Sequence, residues 1–128
     1  MRDIIFIIVA GGLGAGARYY LAEMARRLLG AGFPYGTLTV NIIGSFLIGL
    51  VMQISITTEV IPRDLRVALT IGFLGAFTTF STFSYETLGY FENGSWLLGG
   101  LNVLANVVIC LLAAFLGLVV GRAILGSA

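Results

Sequence analysis

The sequence predicts an all-α integral membrane protein with four transmembrane helices, the third of them broken, and its charge balance leaves open an antiparallel dual-topology homodimer. Three observations lead there. First, 59% of the 128 residues are hydrophobic and only 10% are charged, whereas a soluble domain carries roughly 25% charged residues; the mean hydropathy is +1.05. Second, the chain divides into four apolar runs, each long enough to supply the roughly 20 residues that a spanning helix needs. Third, the arginines are divided almost evenly between the two sides that such a topology would create, whereas a fixed orientation normally shows a clear cytoplasmic excess.

Composition also excludes several classes. Seven basic residues, all Arg, face six acids, so the charge balance gives no sign of a nucleic-acid partner. There is no His, and the single Cys, Cys110, permits neither an intrachain disulfide nor a cysteine-based zinc site. Arg2 followed by an apolar run and small residues imitates a signal peptide. Three further apolar runs follow, which favours a retained first span. Residues 1–128 read as one unit, with no linker or second domain between the runs.

The first span begins at Ile4 and runs through Gly11, Gly12, Gly14 and Gly16 to about Leu29. Its Gly12-Leu-Gly14-Ala-Gly16-Ala17 string matches a dinucleotide-binding pattern. No βαβ alternation follows it and no acid lies near twenty residues downstream, so the better reading is a small-residue face built on Gly12 and Gly16. Gly117 and Gly121 can do the same on the fourth span. Arg18 follows about 21 Å of helix counted from Ile4, so its guanidinium falls near membrane depth. It either snorkels to the headgroups beside Tyr19 and Tyr20 or stands as a fixed positive charge at the mouth of an anion path. Glu23 with Arg26 and Arg27 reads as an interfacial helix end with i,i+3 and i,i+4 pairs.

The second span runs from about Thr37 to Ser55, after a connection at Gly30–Gly36 that holds Pro34. Asn41 lies about one turn inside it. Its amide, with two donors and two acceptors, is costly to turn toward lipid. It serves as interhelical glue or as a donor presented to a permeating anion. The connection Ile56–Asp64 contains Pro62. The fourth span runs from Trp96 to about Leu125, after a connection at Phe91–Ser95. Asn102, Asn106 and Cys110 recur every four positions on it and share one helix face. That face is too polar for lipid and points inward or into a wet passage. With the N-terminus inside, Arg2, Arg63, Arg66 and Arg122 are inside while Arg18, Arg26 and Arg27 are outside. Such a balance fits either an accident of few charges or a chain that inserts both ways and pairs antiparallel.

The third span, from about Leu65 to Tyr90, is the unusual one. Thr78, Thr79, Ser81, Thr82 and Ser84 crowd together, interleaved with Phe73, Phe77, Phe80 and Phe83. Hydroxyl and β-branched residues favour helix less than Leu or Ala, and short hydroxyl side chains compete for nearby backbone groups. The expectation is an interruption near Ala76–Thr79. In a membrane an interruption is tolerated only where the freed backbone is buried in protein or lines a cavity. Phe80 and Phe83, three apart, lie on one face. Their ring edges are electropositive, and with hydroxyl and amide donors nearby they could partly replace the water around a small anion without trapping it. Carbonyls freed at about Ala76 carry partial negative charge, and two such breaks crossing in an antiparallel pair would need a cation. Glu86 falls near the end of the span, close to an interface.

Gly11-Gly-Leu-Gly-Ala-Gly-Ala-Arg-Tyr19, Gly36-Thr-Leu-Thr-Val-Asn-Ile-Ile-Gly-Ser-Phe46 and Gly72-Phe-Leu-Gly-Ala-Phe-Thr-Thr-Phe-Ser-Thr-Phe-Ser84 resemble the fluoride channels called Fluc or CrcB. The resemblance covers all four spans and is tightest in the third. It implies a passive fluoride channel in the cell membrane, not an enzyme, in which a dual-topology homodimer with two antiparallel pores lets fluoride leave the cytoplasm. By position it makes Phe80 and Phe83 the pore rings, Asn41 a pore donor, and Ser81 and Thr82 part of the polar wall. It gives the backbone oxygens of Gly75 and Thr78 a central structural sodium ion (Na+). Arg18 and Glu86 are candidates for the pore mouth, and Asn106 and Cys110 for a fourth-helix wall. Cys110 is the nearest candidate for the hydroxyl that family members often carry there, and it is a poor donor. The competing reading is a small four-helix, dual-topology, proton-coupled multidrug antiporter, which needs a membrane-embedded carboxylate in an aromatic cage. Here Asp3, Glu23, Glu59, Asp64, Glu86 and Glu92 fall near termini, loops or helix ends. A non-transporting membrane subunit would leave the polar third span unexplained.

Overall fold

The computed structural model describes residues 1–126. Their backbone forms four segments long and apolar enough to cross a membrane: Arg2–Leu29, Tyr35–Thr57, Arg63–Glu92 and Trp96–Gly126. The connections end where local chemistry dictates. Gly30 takes φ 96°, and its N–H bonds the Arg26 carbonyl at 2.9 Å, closing the first helix. Pro34 and Pro62 stand immediately before the second and third segments, where a missing N–H is harmless. After Glu92 the chain turns through Gly94 at φ 75°. Ser95 N–H reaches the Tyr90 carbonyl at 2.8 Å and Gly94 N–H reaches Phe91 at 3.1 Å. That pair of bonds satisfies the last carbonyls with a glycine in the left-handed region.

Small residues decide which helices meet. A Cβ on Gly117 would overlap the Phe46 carbonyl, and one on Gly49 would overlap the Ala114 carbonyl, so the second and fourth segments touch backbone to backbone. Gly121 continues this seam against Gln53. The expected close face at Gly117 and Gly121 is therefore present. On the first helix the close contact is Gly14, whose Cβ would overlap the Phe73 carbonyl, while a Cβ on Gly12 or Gly16 would meet nothing within 4 Å among the described residues. At about 100° per residue, the two-residue offset swings Gly12 and Gly16 away from the third segment. Gly72 faces Ala10 and Ile7 at the same seam. Reciprocal ion pairs, Arg2 with Asp64 at 2.7 Å and Arg63 with Asp3 at 3.5 Å, join the starts of these two helices. Both arginines are largely exposed, so each pair contributes at most about 1 kcal/mol. Glu23 holds Arg26 at 2.7 Å and Arg27 at 2.8 Å, as its spacing predicts.

The buried interior is small and partly polar. Val40, Phe77 and Asn102 are its most completely enclosed large side chains. Ile4, Ile8, Leu13, Leu111, Leu112 and Phe115 lie exposed on the outside, which suits hydrocarbon and not water.

The third segment is irregular from Ala68 to Thr79, up to and including the first two of the clustered hydroxyls. Arg63–Val67 is α-helical, Ala68–Leu74 winds in wider π-type turns, and Gly75–Phe77 returns to α geometry. Thr78 at φ −84°, ψ 160° and Thr79 at φ −151°, ψ 110° are extended, and helix resumes over Phe80–Glu92. The fourth segment has wider turns of its own at Ala105–Ile109, around Asn106. Such turns recur at functional sites.

Candidate functional site

Two extended residues at membrane depth release backbone groups that need partners. Thr79 supplies one itself: its Oγ1 accepts the Thr82 N–H at 3.2 Å, capping the helix that begins at Phe80. Asn41 supplies the rest from the second helix. Its Oδ1 accepts the Thr79 N–H at 2.8 Å, and its Nδ2 donates to the Thr79 carbonyl at 3.2 Å. The second Nδ2 proton goes to Asn106 Oδ1 at 3.0 Å. Both amide donors of Asn41 are thus engaged, and the side chain ties the Thr79 backbone to Asn106 on the fourth segment.

These bonds also divert donors from two carbonyls. In an uninterrupted helix the Thr79 N–H would bond the Gly75 carbonyl, and the Thr82 N–H would bond that of Thr78. Here the first goes to Asn41 and the second to the Thr79 hydroxyl. Gly75 and Thr78 both line a cleft of about 520 Å³, together with Asn41, Phe80, Asn106 and Cys110. Gly44 lets the second helix approach here, since a Cβ on it would overlap the Thr78 methyl.

Phe80 and Phe83 form an edge-to-face pair, with centroids 5.2 Å apart and planes inclined at 61°. They differ sharply in surroundings: Phe83 is 7% exposed and Phe80 is 79% exposed. Phe73 and Phe77 stack on each other on the other side of the extended residues, at 5.7 Å. Behind Phe83, Asn102 and Asn106 are buried, and Cys110 is half-buried. The four-residue spacing does turn all three away from the outer surface.

A second cavity, of about 650 Å³, also borders Thr79. Arg18, Tyr35, Thr37, Thr79, Thr82 and Glu86 line it. Glu86 Oε1 accepts from the Thr37 hydroxyl at 2.8 Å, while Oε2 is enclosed without a hydrogen-bond partner among the described residues. Arg18 and Glu86, proposed separately as mouth residues, share this cavity. Thr82 lines it, and its hydroxyl accepts from Thr79 Oγ1 at 2.9 Å. Ser81 is exposed, 3.4 Å from Thr79 Oγ1. Thr79 lines both cavities.

Sequence reasoning gave Thr79, Thr37 and Thr87 no roles of their own. Thr79 had a readable signal, a hydroxyl three residues before Thr82 at the resumption of a helix. Thr37 and Thr87 had none, because Glu86 and Asn102, which they meet, lie on other segments.

Residues 5–118 match the family described as CrcB-like protein, Camphor Resistance (CrcB). The chain is 52% identical, over 95% of its length and 98% of the relative's, to the fluoride-specific ion channel FluC of Geobacter metallireducens. It is 49% identical to the FluC protein of Geobacter sp. strain M21, over 97% of the chain and all of the relative. It is also 49% identical to that of Magnetococcus marinus, over 95% and 99%. With four apolar spans and likeness along nearly its whole length, the chain belongs to the CrcB-like family of multi-pass membrane proteins.

Proposed function

We propose that this chain is the subunit of a passive fluoride-selective channel that lets cytoplasmic fluoride leave across the cell membrane. The observation that carries the reading is the likeness, at about half identity and almost end to end, to proteins named fluoride-specific ion channels. The site suits it chemically. Fluoride is small and strongly hydrated, so a path must offer donors and positive edges without a trapping charge. Phe80 and Phe83 offer ring edges, while Asn41, Ser81 and Thr82 offer polar groups. Asn41 contributes by exchange. A passing anion takes over the proton now held by the Thr79 carbonyl, the longest of its bonds at 3.2 Å. Asn106 and Cys110 form the far wall, and Arg18 with Glu86 forms the mouth.

We further propose that two copies assemble antiparallel, with the extended pair Thr78–Thr79 acting as a true break of the third membrane helix. Three features support this: the even arginine balance, the 79% exposure of Phe80, and a cleft left open on one side of it. The carbonyls of Gly75 and Thr78, whose usual donors are diverted, fit a hard monovalent cation. Those oxygens from both copies would hold a structural sodium, which would balance their partial negative charge. The antiporter alternative is not supported, since relatives spanning the chain are named as channels. Expression in bacteria deprived of their own fluoride exporter tests the function. Growth on millimolar-scale fluoride should be restored, and unchanged sensitivity with the protein present in the membrane would contradict it.

A further inference from the structure

A chain of five hydrogen bonds leaves the third segment at Thr79 and returns to it at Phe83. The Thr79 N–H donates to Asn41 Oδ1 at 2.8 Å. Asn41 Nδ2 donates to Asn106 Oδ1 at 3.0 Å, and Asn106 Nδ2 to Asn102 Oδ1 at 3.0 Å. Asn102 Nδ2 donates to Thr87 Oγ1 at 2.9 Å, and the Thr87 hydroxyl to the Phe83 carbonyl at 2.8 Å. The two ends force the direction. A backbone N–H can only donate and a backbone carbonyl can only accept. Every amide between them therefore has one admissible orientation, and reversing any one would set donor against donor. Bonds aligned in one direction polarise one another. The side-chain links from Asn106 to Thr87 are buried, with Asn102 at 0% exposure.

We propose that Asn102 and Thr87 are positioning residues for the ring pair. They fix the first turn of the resumed helix from both ends, through groups that never meet the permeating ion. The turn they bracket carries Phe80 and Phe83. Thr87 lies eight residues from Thr79, about 12 Å along a helix, so its influence there runs through the relay. The alternative is that Asn102 merely glues the third segment to the fourth. In that case a change at Thr87 lowers stability but leaves the Thr79 end as it was. The proposal rests on reading Phe80 and Phe83 as the rings that fluoride passes.

The test labels threonine and asparagine with 15N and records Thr79 backbone and Asn41 side-chain amide resonances in lipid nanodiscs. Thr87→Val keeps the shape of the side chain but removes the relay's last acceptor, and Thr87→Ser restores it. In T87V both reporter signals should move upfield, and fluoride efflux per assembled protein should fall by about five- to tenfold, the factor that one lost buried hydrogen bond corresponds to. In T87S both should return toward the parent. Unmoved Thr79 and Asn41 signals in T87V overturn the proposal, even if efflux falls. If T87V fails to assemble, Asn102→Leu cuts the relay one link earlier and is read by the same two signals: movement supports the relay and none overturns it. A parent protein that carries no fluoride refutes the functional reading, while the resonance shifts still decide the relay.

Discussion

Replacing Phe80 with Ile separates ring chemistry from ring packing. Phe80 is 79% exposed in the chain, so the fold itself loses little when the ring is removed. What it loses is the edge-to-face contact with Phe83 at 5.2 Å, worth about 0.5–1.5 kcal/mol beyond area. The ion loses more. Isoleucine keeps much of the bulk but has no electropositive edge, so an anion stripped of water meets aliphatic surface. The uncompensated desolvation cost is on the order of several kcal/mol, and each roughly 1.4 kcal/mol added to the barrier slows passage about tenfold. F80I should therefore assemble normally and carry at least about a hundredfold less fluoride, taking roughly 3 kcal/mol as the minimum loss. Phe83 is 7% exposed, so F83I should lose packing as well as flux and yield less assembled protein. Phe73→Ile is the control, because that ring stacks on Phe77 and not on the pair. The assay is fluoride efflux from potassium-loaded liposomes with valinomycin, normalised to the dimer recovered by gel filtration. If F80I and F83I both dimerise and conduct like the parent, the ring-edge mechanism is wrong.

Three further outcomes follow from the same geometry. Asn41→Leu leaves the Thr79 N–H, the Thr79 carbonyl and Asn106 Oδ1 without the partner each now has, at about 1–3 kcal/mol each; the heated variant should aggregate well before the parent, and equal thermal resistance would refute the bridging role. If the proposed assembly holds a sodium on backbone carbonyls, Thr78→Ser should retain it, because a carbonyl ligand survives a side-chain change; a high-resolution map of the assembled protein without an ion at a twofold, or with hydroxyl ligands only, argues against the Gly75 and Thr78 site. In a Cys110→Ser background, single cysteines at Ala31 and Glu59, each in a connection between spans, should both label from either side of the membrane in intact cells; one-sided labelling of a proven dimer would leave the antiparallel assembly untenable.

How much of this was legible in the sequence depended on whether the signal was local. Four spans follow from hydropathy over roughly 20-residue windows, and Pro34, Pro62 and Gly94 mark the connections by their own backbone limits. The Glu23 pairs follow from helix spacing alone. For Gly12 and Gly16, spacing identifies a small-residue face but not the helix it meets; within the described residues it is Gly14 that meets Phe73. Asn41 could be read as glue or as a pore donor, and its geometry shows why neither word suffices. It completes the backbone of Thr79 from another helix while lining the cleft. Nothing in the order of residues announces the wider turns at Ala68–Leu74 and Ala105–Ile109, since such turns are selected by packing between segments. The links of Thr37 to Glu86 and of Thr87 to Asn102 were invisible for the same reason: those partners lie 49 and 15 residues away.

The most direct measurement is a fluoride-electrode recording of purified protein in liposomes loaded with potassium fluoride. Valinomycin supplies the countercurrent, and parallel vesicles are loaded with potassium chloride. The account predicts rapid fluoride efflux that needs no proton gradient, with chloride retained in the parallel vesicles. Fluoride retained by vesicles that contain assembled protein, or release only when a proton gradient is imposed, would contradict a passive fluoride channel.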